Sequence, residues 1–350
     1  MASGEYTLYL EPVDGPDGTP SADTGPEVKC DVLGSSSSAP QARGGAALCV
    51  VDGAALVFGG ASRTQEYFGS VHRIGVAGGA GNWEVVDVQG DVPSPRGGLS
   101  LVVHAGSVWA YGGSNMALEK CYGDVHVLQF STPPQPTWHL VEAKGDVPAD
   151  RNSHAAVAVH NEMVVFGGAN EEGTLADVAC LNFEALEWRK AVISESAGPS
   201  PREMHAACAS SGYMFVSGGR QADGVVCCDL WALQMAGEAW TWSRRSDPEE
   251  TSCAHILEAL TGGRLFLFGG WNGGTGILNC ASIYDVAEDT WTPMEVKPPP
   301  AERFAHASAA SADGISVFVF GGINFMQDHG DLLCLTPPLL PGASPEAPES

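Results

Sequence analysis

Basic residues are scarce in this chain: 17 Lys and Arg stand against 42 Asp and Glu over 350 residues, a formal net charge of -25. Attraction to phosphate backbones or anionic lipid surfaces runs through Lys and Arg, so nucleic acid and membrane surfaces drop out as expected partners. Long apolar runs are also missing, and no stretch reaches the roughly 18 to 20 residues that a membrane helix needs. The ten cysteines form no Cys-x-x-Cys and no short even spacing, and Met1 is not followed by a charged and then apolar leader. That pattern predicts a soluble cytoplasmic protein with reduced thiols.

What the chain has in excess is glycine, 44 copies beside 23 prolines, without the three-residue period that collagen requires. Many short elements joined by tight turns are expected. With 44% hydrophobic residues the chain can still bury a sizeable core.

A Gly-Gly pair preceded by a short apolar run recurs at Gly59, Gly112, Gly167, Gly218, Gly269 and Gly321, at intervals of 53, 55, 51, 51 and 52 residues. Trp83, Trp138, Trp188, Trp240 and Trp291 follow 20 to 26 residues after a pair. Arg43, Arg96, Arg151 and Arg202 sit 16 residues before the first glycine and Arg303 sits 18 before, while the fifth repeat has Ser252 in that slot. Three residues after the slot come His154, His205, His255 and His306, with Ala46 and Leu99 in the first two repeats. Apolar runs on either side of Asp52-Gly53, Ala105-Gly106, Ser211-Gly212 and Asp313-Gly314 read as β-hairpins. A third apolar run and a tryptophan strand complete four strands per repeat, a propeller-blade pattern.

These units, of the form Pro-x-x-Arg-x-x-His, apolar strand, Val-Phe-Gly-Gly-x-Asn, Asp-Val and Trp, resemble kelch repeats, most clearly over residues 148–188. The resemblance spans about residues 40–335. It implies an all-β, six-bladed β-propeller of four-stranded antiparallel blades acting as a protein-interaction scaffold.

The sixth repeat lacks a tryptophan strand, so its outer strand must come from the N-terminus, since an open blade leaves unpaired strand edges. Residues 6–10 and 27–33 compete for that place. Counting back 13 residues from Arg43, the spacing seen in the first repeats, lands on Cys30 and selects residues 27–33. The expected organisation is an extension and linker over 1–26, the propeller over 27–336, and a Pro-rich tail over 337–350.

Strand one begins and strand two ends on the same side of a hairpin, so the Pro-x-x-Arg loops and the post-glycine loops share one face. Arg96, Arg151, Arg202 and Arg303, with Arg63 and Arg220 after Gly-Gly pairs, are expected to make that mouth basic and able to hold an acidic peptide through planar guanidinium groups. The alternative role for the motif arginines is to satisfy groups between blades, with Asp91, Asp146, Asp150, Glu203 and Glu302 absorbing charge. Asn115, Asn170, Asn272 and Asn324 either close turns or line the binding face. Trp271, Phe325 and Met326 are candidate apolar anchors.

No nucleophile elbow, phosphate-cradling loop or His-Glu-x-x-His occurs. The Glu-x-x-x-Asp-x-x-x-His iron motif of plant specifier-type kelch proteins is absent as well. The expectation is a monomeric, non-enzymatic adaptor without cofactor or metal. The competing reading is a metal-assisted enzyme or specifier using the four repeat histidines.

Overall fold

The computed structural model describes residues 26–338 except 35, 78–80, 131–134, 195, 196 and 251. The linker before residue 26, the competing segment 6–10 and the tail from 339 lie outside the described residues. Within them the chain is all-β, with one helical turn, a 3₁₀ segment over Met116–Leu118.

Each repeat folds as a small antiparallel meander whose strands follow chain order. In the third repeat these are Ala155–Val159, Glu162–Phe166, Val178–Asn182 and Glu187–Lys190. The hairpin turns are made by residues that tolerate left-handed backbone. Asp52 and Gly53 have φ of 49° and 72°, Ala105 and Gly106 47° and 72°, Ser211 and Gly212 51° and 78°. Positive φ at both central residues is the type I′ turn, whose twist matches that of the flanking strands.

The first strands, Gly44–Val51, Ser100–His104, Ala155–Val159, Ala206–Ser210, Ile256–Leu260 and Ala307–Ala310, are neighbours in that order, and the last touches the first. They line a central channel of about 420 Å³ whose walls are mostly Ala, Val, Leu and Cys. A ring of backbone hydrogen bonds runs around one end of it. Gly45 N–H donates to Ala305, Ala305 to Ala254, Ala254 to Met204, Met204 to Ser153, Ser153 to Gly98 and Gly98 to Gly45, each at 2.7 or 2.8 Å. All six donors are left-handed, with φ between 53° and 66°, which points each N–H at the preceding repeat. The ring returns to its start, so the sheets are arranged as a propeller around the channel.

Glu27–Leu33 lies antiparallel to Leu332–Thr336, with Cys30 opposite Leu335, in the place the tryptophan spacing assigns to it. Its other edge meets Thr290–Lys297 in parallel, with Val28 opposite Val296. Val28 is fully buried in a cluster with Phe266, Phe268, Val317 and Val319.

The cores lie between sheets. Trp83 packs on Phe320, Trp138 on Phe58 and Trp188 on Tyr111, with ring centroids 5.7, 5.6 and 5.1 Å apart, each pair joining neighbouring repeats. In the fourth repeat the residue in this register is Trp242, opposite Leu233 and 5.2 Å from Phe166. Trp240, the residue expected from spacing, precedes the strand by one position. Trp291 keeps the register opposite Tyr284 but stays half-buried, its indole N–H donating to the Ser246 carbonyl at 2.8 Å.

Candidate functional site

The motif arginines do not line a mouth. Arg96, Arg151, Arg202 and Arg303 are 2%, 0%, 1% and 0% exposed, and every edge of each guanidinium is occupied inside the fold. Nε donates to the carbonyl two residues back, at 3.0 to 3.2 Å. Nη1 donates to the carbonyl of the first glycine of the repeat, from 2.8 Å at Gly218 to 3.2 Å at Gly112. The outer edge grips the aspartate that opens the third strand. Arg151 meets both oxygens of Asp177 at 2.9 Å, Arg303 meets Asp331 at 2.9 and 3.0 Å, Arg202 meets Asp229 at 2.6 and 2.9 Å, and Arg96 holds Asp124 in the same fork. The expectation that these four arginines face a partner is therefore corrected: their fork geometry is spent on internal carboxylates.

Sequence reasoning noted Asp-Val in the repeat but did not pair these four aspartates with the arginines. Their signal was a nearly constant offset, 28, 26, 27 and 28 residues after the arginine. Burial opposes ionisation of Asp124, but hydrogen bonds from His126 and Arg96 overcome it and hold the carboxyl well below the usual carboxylate range. Burial likewise opposes ionisation of Asp331, and Arg303 pulls it below its ordinary value. In the first repeat Ser70 stands where the aspartate would be, and Arg43 instead lies 3.8 Å over the Phe68 ring. Burial lowers that guanidinium to about 10.

The repeat histidines are also internal. His154 contacts Ser100 Oγ at 2.9 Å, His205 the Phe166 carbonyl at 3.1 Å and His306 the Phe268 carbonyl at 3.2 Å. Burial holds His205 and His306 down to about 3 and His255 to about 4, so all three are neutral at physiological pH. Their rings explain the first glycines: a Cβ on Gly167 would lie 2.9 Å from both His205 Cε1 and the Arg202 carbonyl oxygen. Among the described residues no three His, Cys, Asp or Glu side chains converge as a metal donor set.

The off-motif cations are paired. Arg63 donates from Nε and from its backbone N–H to Asp328 at 2.9 and 2.8 Å, and from Nη2 to the Asn324 carbonyl at 2.9 Å. Arg220 Nη2 lies 2.5 Å from Glu203 Oε1. The four asparagines build loops. Asn115 is buried and donates to the Pro95 carbonyl, while Asn170, Asn272 and Asn324 accept backbone N–H groups two to four residues on. Trp271 is half-buried, with its indole N–H on the Gly274 carbonyl at 2.7 Å and its ring 6.5 Å from Phe304.

The loop face also exposes large apolar side chains. Phe325 is 61% exposed, Met326 84%, Met116 66% and Leu118 66%. A cavity of about 380 Å³ at the channel mouth is lined by Gly45, Gly98, Leu99, Met204, Phe304 and Ile323, and by Arg63, whose bond to the Asn324 carbonyl reaches the loop of Phe325 and Met326. Tyr67, on its wall, accepts the Met116 N–H at 3.0 Å. An adjoining groove of about 520 Å³ runs past Met116, Glu119, Glu171 and Glu203, and the two share Ser114 and Asn152.

The family model described as the KLHDC2/KLHL20/DRC7 Kelch-repeats domain matches residues 28–168 and 161–338. The chain is 27% identical over 270 residues to an N-(sulfonatooxy)prop-2-enimidothioate sulfolyase of Thlaspi arvense, covering 69% of this chain and 74% of that protein. It is 27% identical over 275 residues to Adagio-like protein 3 of Oryza sativa subsp. japonica, covering 74% of this chain and 42% of the relative. It is 26% identical over 256 residues to Kelch domain-containing protein 3 of Rattus norvegicus, covering 70% of this chain and 65% of that one. This chain thus spans between about two fifths and three quarters of the length of these three relatives.

Proposed function

Because the chain belongs to the kelch-repeat family, we propose that it is a six-bladed propeller, closed by Glu27–Leu33, that holds another protein on its loop face without catalysing a reaction. The reading takes it to work as a cytoplasmic monomer, in keeping with ten unpaired thiols. The observation that carries it is the placement of exposed apolar side chains. Met116, Leu118, Phe325 and Met326 project from post-glycine loops around the channel mouth, where large apolar groups outside a core mark interaction sites. The relative named as a sulfolyase keeps an enzymatic reading in view, but the four histidines that it would draw on are committed to packing between repeats.

The test is cross-linking of the full chain to proteins captured from cell extract, with sites located by mass spectrometry. Cross-links should fall in the loops carrying Met116 and Phe325, and a Phe325→Asp/Met326→Asp variant should lose capture while Val85→Asp/Leu140→Asp on the sheet edges keeps it. Cross-links confined to the sheet edges, or capture indifferent to Phe325 and Met326, would refute the reading.

A further inference from the structure

Resting on the loop-face reading, we infer that the segment held there is cationic, with Lys or Arg residues flanking one large apolar side chain, rather than acidic. Four motif arginines are buried against Asp124, Asp177, Asp229 and Asp331, so they contribute no outward charge. Arg63 and Arg220 are neutralised by Asp328 and Glu203, and Lys120, 4.8 Å over the Tyr122 ring, lines the groove as a cation against Glu119 and Glu171. Exposed in the same loops are Glu66, Glu119, Glu171, Glu172 and Asp223, and no ion pair holds any of them among the described residues. The face is therefore acidic where it is accessible. The net charge of -25 over the whole chain adds long-range attraction for a positive partner.

The geometry divides the occupant into two parts. The mouth cavity of about 380 Å³ has apolar lining, including Leu99, Met204, Phe304 and Ile323, and is roomy enough to admit a large apolar side chain. The groove that adjoins it at Ser114 and Asn152 carries Glu119 and Glu171 on its walls. A chain that seats Leu, Phe or Trp in the mouth sets its neighbouring residues over these carboxylates. Met116 lines the same groove. Arg63 ties the loop of Phe325 to the mouth, because it lines the mouth and donates to the Asn324 carbonyl beside Phe325.

The test pans a phage-displayed library of random 12-residue peptides against the full chain, then measures synthetic copies of the enriched peptides by fluorescence anisotropy. Enriched sequences should be net positive with an aromatic or Leu residue, and affinity should fall at least tenfold both in 0.3 M salt relative to 0.05 M and in the Glu119→Lys/Glu171→Lys variant. Both glutamates are exposed, so circular dichroism and the unfolding midpoint of that variant should match the parent. Enrichment of acidic or uncharged peptides, no enrichment, or basic peptides indifferent to Glu119→Lys/Glu171→Lys overturns the inference. Phe325→Asp/Met326→Asp separates the two claims: acidic peptides that this variant rejects leave the loop-face reading standing while the charge class falls, and basic peptides that ignore it and cross-link elsewhere remove both.

Discussion

Glu258 is the one carboxyl that lines the channel, among walls of Ala, Val, Leu and Cys. It accepts a hydrogen bond from Ser308 Oγ at 2.5 Å, and no cation pairs with it among the described residues. Burial pushes its carboxyl up to about 7 from an ordinary 4.5, only partly offset by Ser308 and the Ala310 backbone. The native state then binds a proton more tightly than the unfolded chain. The contribution of Glu258 to stability is fully present below pH 4.5, falls as pH rises from about 4.5 to 7, and levels off above. A difference of that size corresponds to about 3 kcal/mol, which the partial exposure of Glu258 to the channel reduces to about 1–2 kcal/mol. The buried histidines add a pH dependence of opposite sign in the same window, because they gain protons only on unfolding; it is common to the parent and a Glu258→Gln variant and cancels in their difference. In the native state His255 and His306 are held down to about 4 and 3 and stay neutral across that window, and burial keeps the Cys208 thiol protonated. Urea unfolding at intervals from pH 5 to 9 should show Glu258→Gln gaining about 1–2 kcal/mol on the parent at pH 8 and little at pH 5. Parallel pH profiles for the two proteins would refute the reasoning.

Arg151→Ala leaves Asp177 without its partner and should cost about 3–5 kcal/mol; a double-mutant cycle with Asp177→Ala in urea should return a coupling of about 1–3 kcal/mol, and additivity would contradict the clamp. Gly167→Ala meets His205 and the Arg202 carbonyl at a φ of 62° and should cost about 2–5 kcal/mol. Gly106→Ala, with open space around a φ of 72°, should cost about 1–2 kcal/mol in the same melts. Val28→Asp should lower the urea midpoint steeply because Val28 is fully buried in the closing strand, whereas Val32→Asp, at a position 69% exposed, should leave it unchanged. On the acid side, the stability contributed by Asp124 and Asp331 is present above the ordinary value of 3.8 and lost as pH falls. Asp124→Asn should flatten that limb in acid titrations followed by circular dichroism.

The hairpins and the closing strand were legible because they rest on local chemistry and on counting: left-handed turn pairs at Asp52-Gly53 and Ser211-Gly212, and a 13-residue spacing that lands on Cys30. The arginines show where such reading stops. A repeated arginine at the start of an inner strand locates the Cα on the loop face, but not whether the side chain turns outward or back under the glycine carbonyl. The aspartate offset held that answer, since burying a guanidinium is costly unless it is paired and Asp124, Asp177, Asp229 and Asp331 keep step with four of the arginines. Trp240 was misassigned for a related reason: two tryptophans lie two residues apart, and register opposite Leu233, not distance from Gly-Gly, selects Trp242.

The repeats that lack the clamp keep the same backbone pairing after the glycines. In the second, third, fourth and sixth repeats the second strand stops before the glycines, at Tyr111, Phe166, Ser217 and Phe320, and the arginine caps the freed glycine carbonyl while tethering the next strand through its aspartate. The fifth repeat has Ser252 for the arginine and Cys280 in the register of the aspartate, opposite the turn after Phe268. There the second strand continues through both glycines over Arg264–Trp271, and Trp271 pairs with Ile277 across a register shift. The first repeat keeps Arg43 but has Ser70 for the aspartate, and its strand also runs on, over Ala54–Ala61, with Gly44 opposite Ala61. The clamped repeats make the same pairings as short bridges, Gly97 with Ser114, Asn152 with Ala169, Glu203 with Arg220 and Phe304 with Ile323, so the ion pair is added to the backbone pairing and not exchanged for it. In these repeats loops 114–121 and 169–174 close as short hairpins of their own, Ser114 opposite Cys121 and Ala169 opposite Thr174, and carry Met116, Glu119 and Glu171. The internal arginine charge and the acidic, apolar outer face are then two results of one arrangement: cations drawn inward to hold strand ends leave the loops above them to carboxylates and exposed apolar side chains.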